Sequence, residues 1–475
     1  AESRRALAAL APALLTAVRR TVAPDRALAH LGEFLTRVGA RRTFLALLVE
    51  NKATLELLVD LFATSDYLSR ALLAHPELID TLVRADQAIA SKTGDDFARE
   101  LDALLADTSD FEERLDVLRR YRNDEFLRIG SHDVAGQLHY EEVSAQLSAL
   151  AEICLQRAYD VALAERLQRY AAPQGLALAV VALGKLGSGE LNYHSDLDLI
   201  FVYGPASGED AGQADADGDA VGAQEFFAKV AQLLLLVLQL ATREGYVYKT
   251  DTRLRPSGRS GPLVTSLDGF ARYHADSSAV WERQALIRAR VVCGPAPLAR
   301  RIEAIVEGFV FGRGLAPDEL AEIVRLRARM ESELARESAR VANLKLGRGG
   351  LVDIEFVAQT LALAHGHERP ELRQRATRSL LAAAGELGLL HPADHAVLAS
   401  AWSFLRGLEN RLRIEGEHPI ERITREPGKL VSAARRMGFD EPGETAGMHL
   451  LEELDRHRER VREVYDRLVG RFAAA

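Results

Sequence analysis

The sequence predicts an α+β fold, predominantly α-helical, in which a small mixed sheet is flanked by an N-terminal and a C-terminal helical domain. Three observations carry this. Apolar residues recur at spacings of three and four up to about residue 168, the period of helices that bury one face. Between residues 176 and 255 the texture changes, and LALAVVAL and LDLIFVY read as buried strands separated by a glycine-rich turn. After about residue 300 the helical period returns and continues to the end. The expected domains are therefore residues 1–168, 169–300 and 301–475.

In the first of these, Ser65 is a candidate N-cap ahead of Leu68, Ala71 and Leu72. The proline of AHPELID and the glycine of LRIGSHD read as breaks. In the second, YVYKTDTRLRP is expected to be a third strand, closed by Pro256, with Lys249, Asp251, Arg253 and Arg255 on one face. Between strands two and three lies GPASGEDAGQADADGDAVG, read as a loop, and then a long apolar helix from near Gln224. Asp215, Asp217 and Asp219 superficially suggest a calcium loop, but Phe226 stands where the bidentate glutamate is needed. In the third, the charged faces of SFLRGLENRLRIEG and DRHRERVREVYDRLV read as solvated surface.

Composition narrows the function. A net charge of -9 argues against nucleic acid as the main partner, because phosphate binding needs a concentrated basic surface. The run VAQLLLLVLQLAT is too short and too glutamine-marked to span a bilayer, so no membrane is expected. Two distant cysteines, Cys154 and Cys293, suggest neither a disulfide framework nor a cysteine metal site, which fits a reducing cytoplasm. The chain opens at Ala1 directly into a charged helical pattern, and it is expected to be a piece of a longer polypeptide.

The chemistry concentrates in GKLGSGELNYHSDLDLIFVY. Glycines 184, 187 and 189 let backbone N–H groups approach a triphosphate. Asp196 and Asp198, two residues apart on an extended strand, project to one face. Paired carboxylates suit a divalent-metal clamp, and in-line transfer by two metals needs a third carboxylate beside the attacking oxygen. Asp251 is the candidate. An isolated DxD is commonly a turn or a cap, but a strand, a triple-glycine turn, a DxD and a later aspartate with two arginines together point to a site.

The segment resembles the nucleotidyltransferase superfamily, whose turn commonly reads GSxGRG. Lys185 stands at the position of that motif's serine and Ser188 at that of its arginine. With RLRPSGRSGPLVTS, WERQALIRARVV and GRGGLVDIEF, nearly the whole chain is similar to the bacterial glutamine synthetase adenylyltransferases, which carry two such catalytic halves. RLRPSG followed by LVTS, QALIRARVV and VENKATLELLVDL look more like the C-terminal, attaching half. GPLV and the WER at Trp281 are similar to the adenylyl-removing half.

The resemblance implies catalytic and metal-binding roles for Asp196, Asp198 and Asp251, with two Mg2+ or Mn2+ ions. It implies nucleotide contacts from Gly184, Lys185, Gly187, Ser188 and Gly189, and from Arg253 and Arg255 to phosphate or to the carboxylates. ATP would be the nucleotide and a tyrosine hydroxyl of glutamine synthetase the acceptor. The PII signalling protein and glutamine would regulate the full-length enzyme. The alternatives are the phosphorolytic removing reaction, a nucleotidyltransferase with a small-molecule acceptor, and a non-catalytic regulatory module. GRGGLVDIEF is expected to open a helix near Leu351, with Lys345 and Arg348 as further candidates for the nucleotide and Asp353 and Glu355 near the helix start. Trp281 and Glu282 are read as starting a core helix bearing Arg283, Arg288 and Arg290, and His194 as a packing residue.

Overall fold

The computed structural model describes residues 2–38, 42–79, 91–207, 219–416 and 420–470. The stretch 208–218, which contains Asp215 and Asp217 of the candidate calcium loop, lies outside the described residues.

Helices fill the N-terminal part. Ser65 caps Asp66–Ala74 by accepting the Leu68 N–H at 3.1 Å, as its sequence position predicts. Thr93 and Asp96 form a capping box on Gly94–Ala106, and Asp110 caps Phe111–Val134. Pro76 does break the chain, opening the short 3-10 turn Pro76–Leu78. Gly130 does not: Phe111–Val134 runs through it. A Cβ there would lie 2.6 Å from Leu68 Cδ1, so this glycine permits close helix packing instead of ending a helix.

The sheet has five strands, β1 (Leu176–Ala182), β2 (Leu197–Pro205), β3 (Thr250–Asp251), β4 (Val264–Ser266) and β5 (Arg290–Cys293). β1 is antiparallel to both β2 and β5, and β2 is parallel to β3 and β4. The expected third strand is thus only two residues long, and the chain turns at Thr252, which removes Arg253 and Arg255 from any shared strand face. The tail of WERQALIRARVV leaves its helix at Leu286 and continues as β5, so Arg290 is a strand residue. β-Branched Val291 and Val292 favour that change.

Both faces of the sheet are covered, which is why its two long strands read as continuous apolar runs. Leu178, Val180, Leu199 and Phe201 join the core of the N-terminal helices and of Asp219–Gln239. Their alternates Ala179, Val181, Ile200 and Val202 join the core of the C-terminal helices. Leu234, Val237 and Leu238 of the long apolar helix are fully buried. No helix among the described residues is long and apolar enough to cross a membrane.

Beyond the sheet, β6 (Val341–Asn343) pairs antiparallel with β7 (Arg422–Thr424). Leu351–His365 starts where the sequence predicts. The charged faces of two C-terminal helices depart from expectation. Arg406, Glu409, Asn410 and Arg413 of Pro392–Glu415, and Arg458 of Glu444–Leu468, are buried.

Candidate active site

The turn after β1 is a single helical turn, Gly184–Ser188, closed by Gly189 in the left-handed region at φ 73°. Leu183 N–H bonds the Asp198 carbonyl at 2.9 Å, which ties the turn to β2. Gly184 also has positive φ, and a Cβ on it would fall 2.2 Å from Asp198 Oδ2. Gly187 lets the Arg288 carbonyl come within 2.0 Å of where its Cβ would stand. The glycines therefore serve close approach. The N–H groups of Gly187 and Gly189 are spent on the Leu183 and Leu186 carbonyls, and the Ser188 hydroxyl on those of Gly184 and Lys185.

Parallel pairing of β2 with β3 sets Asp198 opposite Asp251. Asp196 lies exposed just before β2. Burial, then the negative charges of Asp251 and Asp196, push the Asp198 carboxyl up to about 6, against the pull of Lys345 and Arg253. Asp251 goes the other way. The Arg253 guanidinium, bonding it at 2.7 Å through Nε, holds it below the usual carboxylate range, helped by the Arg253 backbone N–H at 2.8 Å. Arg255 reaches none of the carboxylates. Its guanidinium bonds the carbonyls of Thr252, Gly261 and Pro262 and so braces the loop.

Lys185 forms an ion pair with Glu409 at 2.8 Å, and burial lowers its pKa well below that of a free lysine. Glu409 also accepts from Arg406 at 2.6 Å, Arg413 at 3.0 Å and Asn192 at 3.0 Å. Burial alone would raise this carboxyl; Lys185, Arg406 and Arg413 together hold it well below the usual range. Lys345 pairs with Glu421 at 3.1 Å and Glu355 with Arg288 at 3.0 Å. Arg348 instead reaches Asp466 at 3.4 Å, and Asp353 is buried against Arg327 and the Gly349 N–H. His194 packs edge-on against Tyr67, ring centroids 4.6 Å apart.

The donor set fits a hard divalent cation. Asp198 and Asp251 offer oxygen ligands, their mutual repulsion is what a cation would relieve, and Gly184 leaves the space. Among the described residues, no three acidic, histidine or cysteine side chains are already gathered into a cage, and Arg253 occupies Asp251. Gly184→Ala, which would push the Asp198 carboxylate aside and strain a left-handed position by about 1–2 kcal/mol, is expected to lower the melting temperature and abolish saturable Mn2+ binding in calorimetry. Unchanged Mn2+ affinity would place the ion elsewhere.

Sequence reasoning pointed to the aspartates and the glycine turn, and the structure sets Asp198, Asp251 and Gly184 next to one another. Sequence reasoning missed Glu409 and Arg288 as neighbours of that turn. A signal for the first existed: Arg406, Glu409, Asn410 and Arg413 follow the i, i+3, i+4, i+7 spacing of one helix stripe, beside the buried Leu405, Leu408 and Leu412.

A small mixed sheet that sets carboxylates beside a glycine turn, enclosed by helices, is an arrangement of the nucleotidyltransferase kind. Residues 55–305 match the profile of the glutamate-ammonia ligase adenylyltransferases, and the chain belongs to that family. Residues 324–469 match the GlnD PII-uridylyltransferase profile. Among similar curated proteins, the bifunctional glutamine synthetase adenylyltransferase/adenylyl-removing enzyme of Nitrosococcus oceani is 35% identical over 443 residues, covering 89% of this chain and 45% of that protein. The protein of the same name from Burkholderia mallei is 36% identical over 421 residues, 85% of this chain and 44% of the relative. The chain thus spans about half the length of the curated relatives it matches.

Proposed function

We propose that this chain transfers AMP from ATP to a tyrosine hydroxyl of glutamine synthetase, with Asp196, Asp198 and Asp251 as the catalytic, metal-holding carboxylates. The observation that carries the reading is the register of Asp198 with Asp251 beneath Gly184. Two Mg2+ or Mn2+ ions, when bound, would supply charge neutralisation at the α-phosphate and a lowered pKa for the acceptor hydroxyl. Asp251, kept ionised by Arg253, holds a negative charge beside that hydroxyl and favours loss of its proton. The phenolic oxygen then bonds to the α-phosphorus, the bond to the bridging oxygen breaks, and pyrophosphate leaves. In the same reading Gly184, Lys185, Gly187, Ser188 and Gly189 border the triphosphate, Lys185 passing from Glu409 to a phosphate oxygen, and Arg253 braces Asp251. Arg255 acts by shaping the loop. A cytoplasmic setting follows from that substrate. Control by a PII protein and glutamine would reach the site through the C-terminal helices, the part that matches the uridylyltransferase profile.

The relatives' name holds both directions of the chemistry, so the second reading is removal of AMP by phosphate. The deciding experiment offers the chain unmodified glutamine synthetase with ATP and Mg2+, and separately the adenylylated enzyme with phosphate, and follows the substrate by intact mass. Gain of one AMP per subunit in the first reaction is expected. Loss of AMP in the second with no gain in the first would assign the removing half.

A further inference from the structure

Beside Asp196 a cavity of about 90 Å³ runs inward between the N-terminal helices and the residues before β2 and β3, with Arg122, Asn192, Tyr248 and Lys249 on its walls. Arg122 is 4% exposed. Its guanidinium lies 3.8 Å from the Phe126 ring centroid and 5.4 Å from that of Tyr248. Its hydrogen bonds go to neutral groups, the Tyr67 and Tyr248 hydroxyls and Asn123 Oδ1. No carboxylate among the described residues forms an ion pair with it, and its Nε–H is buried without an acceptor. Buried arginines elsewhere have their anions: Arg327 has Asp353, Arg413 has Glu409 and Arg283 has Glu319. A buried charge lacking a counter-ion is expensive, and aromatic rings compensate only part of that cost.

We propose that the missing counter-ion is a ligand, and that this cavity is a subsite for a phosphate-type oxyanion. The Arg122 Nε–H, buried without an acceptor, and the hydroxyl of Tyr248, whose oxygen faces the Arg122 guanidinium and leaves its proton free to donate, supply donors from inside. The exposed Lys249 supplies a second positive charge at the rim. Asp196 at the mouth opposes an anion, but two cations against one carboxylate leave the lining net positive. The cavity exceeds the roughly 10–15 Å³ that a single water requires, so it has room for a tetrahedral oxyanion. The proposal does not depend on the direction of transfer or on the acceptor.

Two sources share this chemistry, free inorganic phosphate and a phosphate of a bound nucleotide. The test is calorimetric titration of the chain with inorganic phosphate, and separately with ATP, in the absence of divalent metal. Saturable phosphate binding is expected, weakened at least tenfold by Arg122→Gln and several-fold by Tyr248→Phe and by Lys249→Ala. Should phosphate not bind while the same substitutions weaken ATP, the anion is a nucleotide phosphate and the subsite stands. Because Arg122→Gln risks the fold, Tyr248→Phe, which removes only a hydroxyl, and the surface change Lys249→Ala decide. If both fold and leave phosphate and ATP affinities at wild-type values, the proposal is overturned.

Discussion

Replacing Asp196 and Asp198 together by asparagine should abolish the proposed AMP transfer, by at least about a thousandfold if these carboxylates hold the catalytic ions as proposed, while the fold survives. Survival follows from position: Asp196 is exposed before β2, Asp198 is half-buried at its start, and neither side chain closes a core. Stability should in fact rise at neutral pH. The Asp198 carboxyl stands near 6 in the fold against an ordinary value of 3.8, so ionising it costs the folded state more than the unfolded one. That penalty is absent below about pH 4, grows between 4 and 6, and is complete above 6. It is on the order of 1–2 kcal/mol once solvent screening at the half-exposed edge is allowed for, so the double variant should melt a few degrees higher at pH 7.5 and like wild type at pH 4. Mn2+ should raise the melting temperature of the wild type and leave the variant unmoved. A folded double variant that transfers AMP at the wild-type rate would remove these two residues from the site.

What the sequence made legible and what it hid divide along physical lines. The paired aspartates, the strands on either side and the Ser65 cap announce themselves through local spacing, because strand alternation and cap chemistry act over two to four residues. The sequence predicts a longer β3 than the two paired residues because a run such as YVYKTDTRLRP is readily extended. The Asp251 carboxylate, bonding the N–H and side chain of Arg253, turns the chain after two paired residues instead. Gly130 reads as a break until Leu68 is seen against it, 62 positions earlier in the chain. The same holds for the charges. A run such as ENRLRI looks solvated in one dimension, and only the packing of Pro392–Glu415 against the 184–195 segment makes its polar stripe an interior one.

That stripe is where a single substitution should do most damage. Glu409, 1% exposed, is the anion for Lys185, Arg406 and Arg413 and the acceptor for Asn192. From the same helix Arg406 bonds the Glu190 carbonyl at 2.6 Å and Arg413 the Tyr193 carbonyl at 3.1 Å, so one face grips the loop that delivers Asp196. At the two positions after Glu409, Asn410 and Arg411 bind the buried Asp133 of the N-terminal helices, which also accepts from the Tyr193 hydroxyl at 3.1 Å. Glu409→Gln keeps the shape and removes the charge, stranding three cations that share one carboxylate. The expected loss is about 3–5 kcal/mol, the usual result of removing one partner from a buried ionic cluster, read as a fall of several degrees in melting temperature. A merely structural role would end there. If Glu409 positions Lys185 for the nucleotide, the folded variant at low temperature should also show a raised KM for ATP with a smaller change in kcat. Lys185→Met combined with Glu409→Gln should then be less destabilised than the two single losses summed, because each removes the other's partner. Additive losses would show that the two side chains do not depend on each other, and a wild-type melting temperature for Glu409→Gln would show that the cluster is solvated in solution.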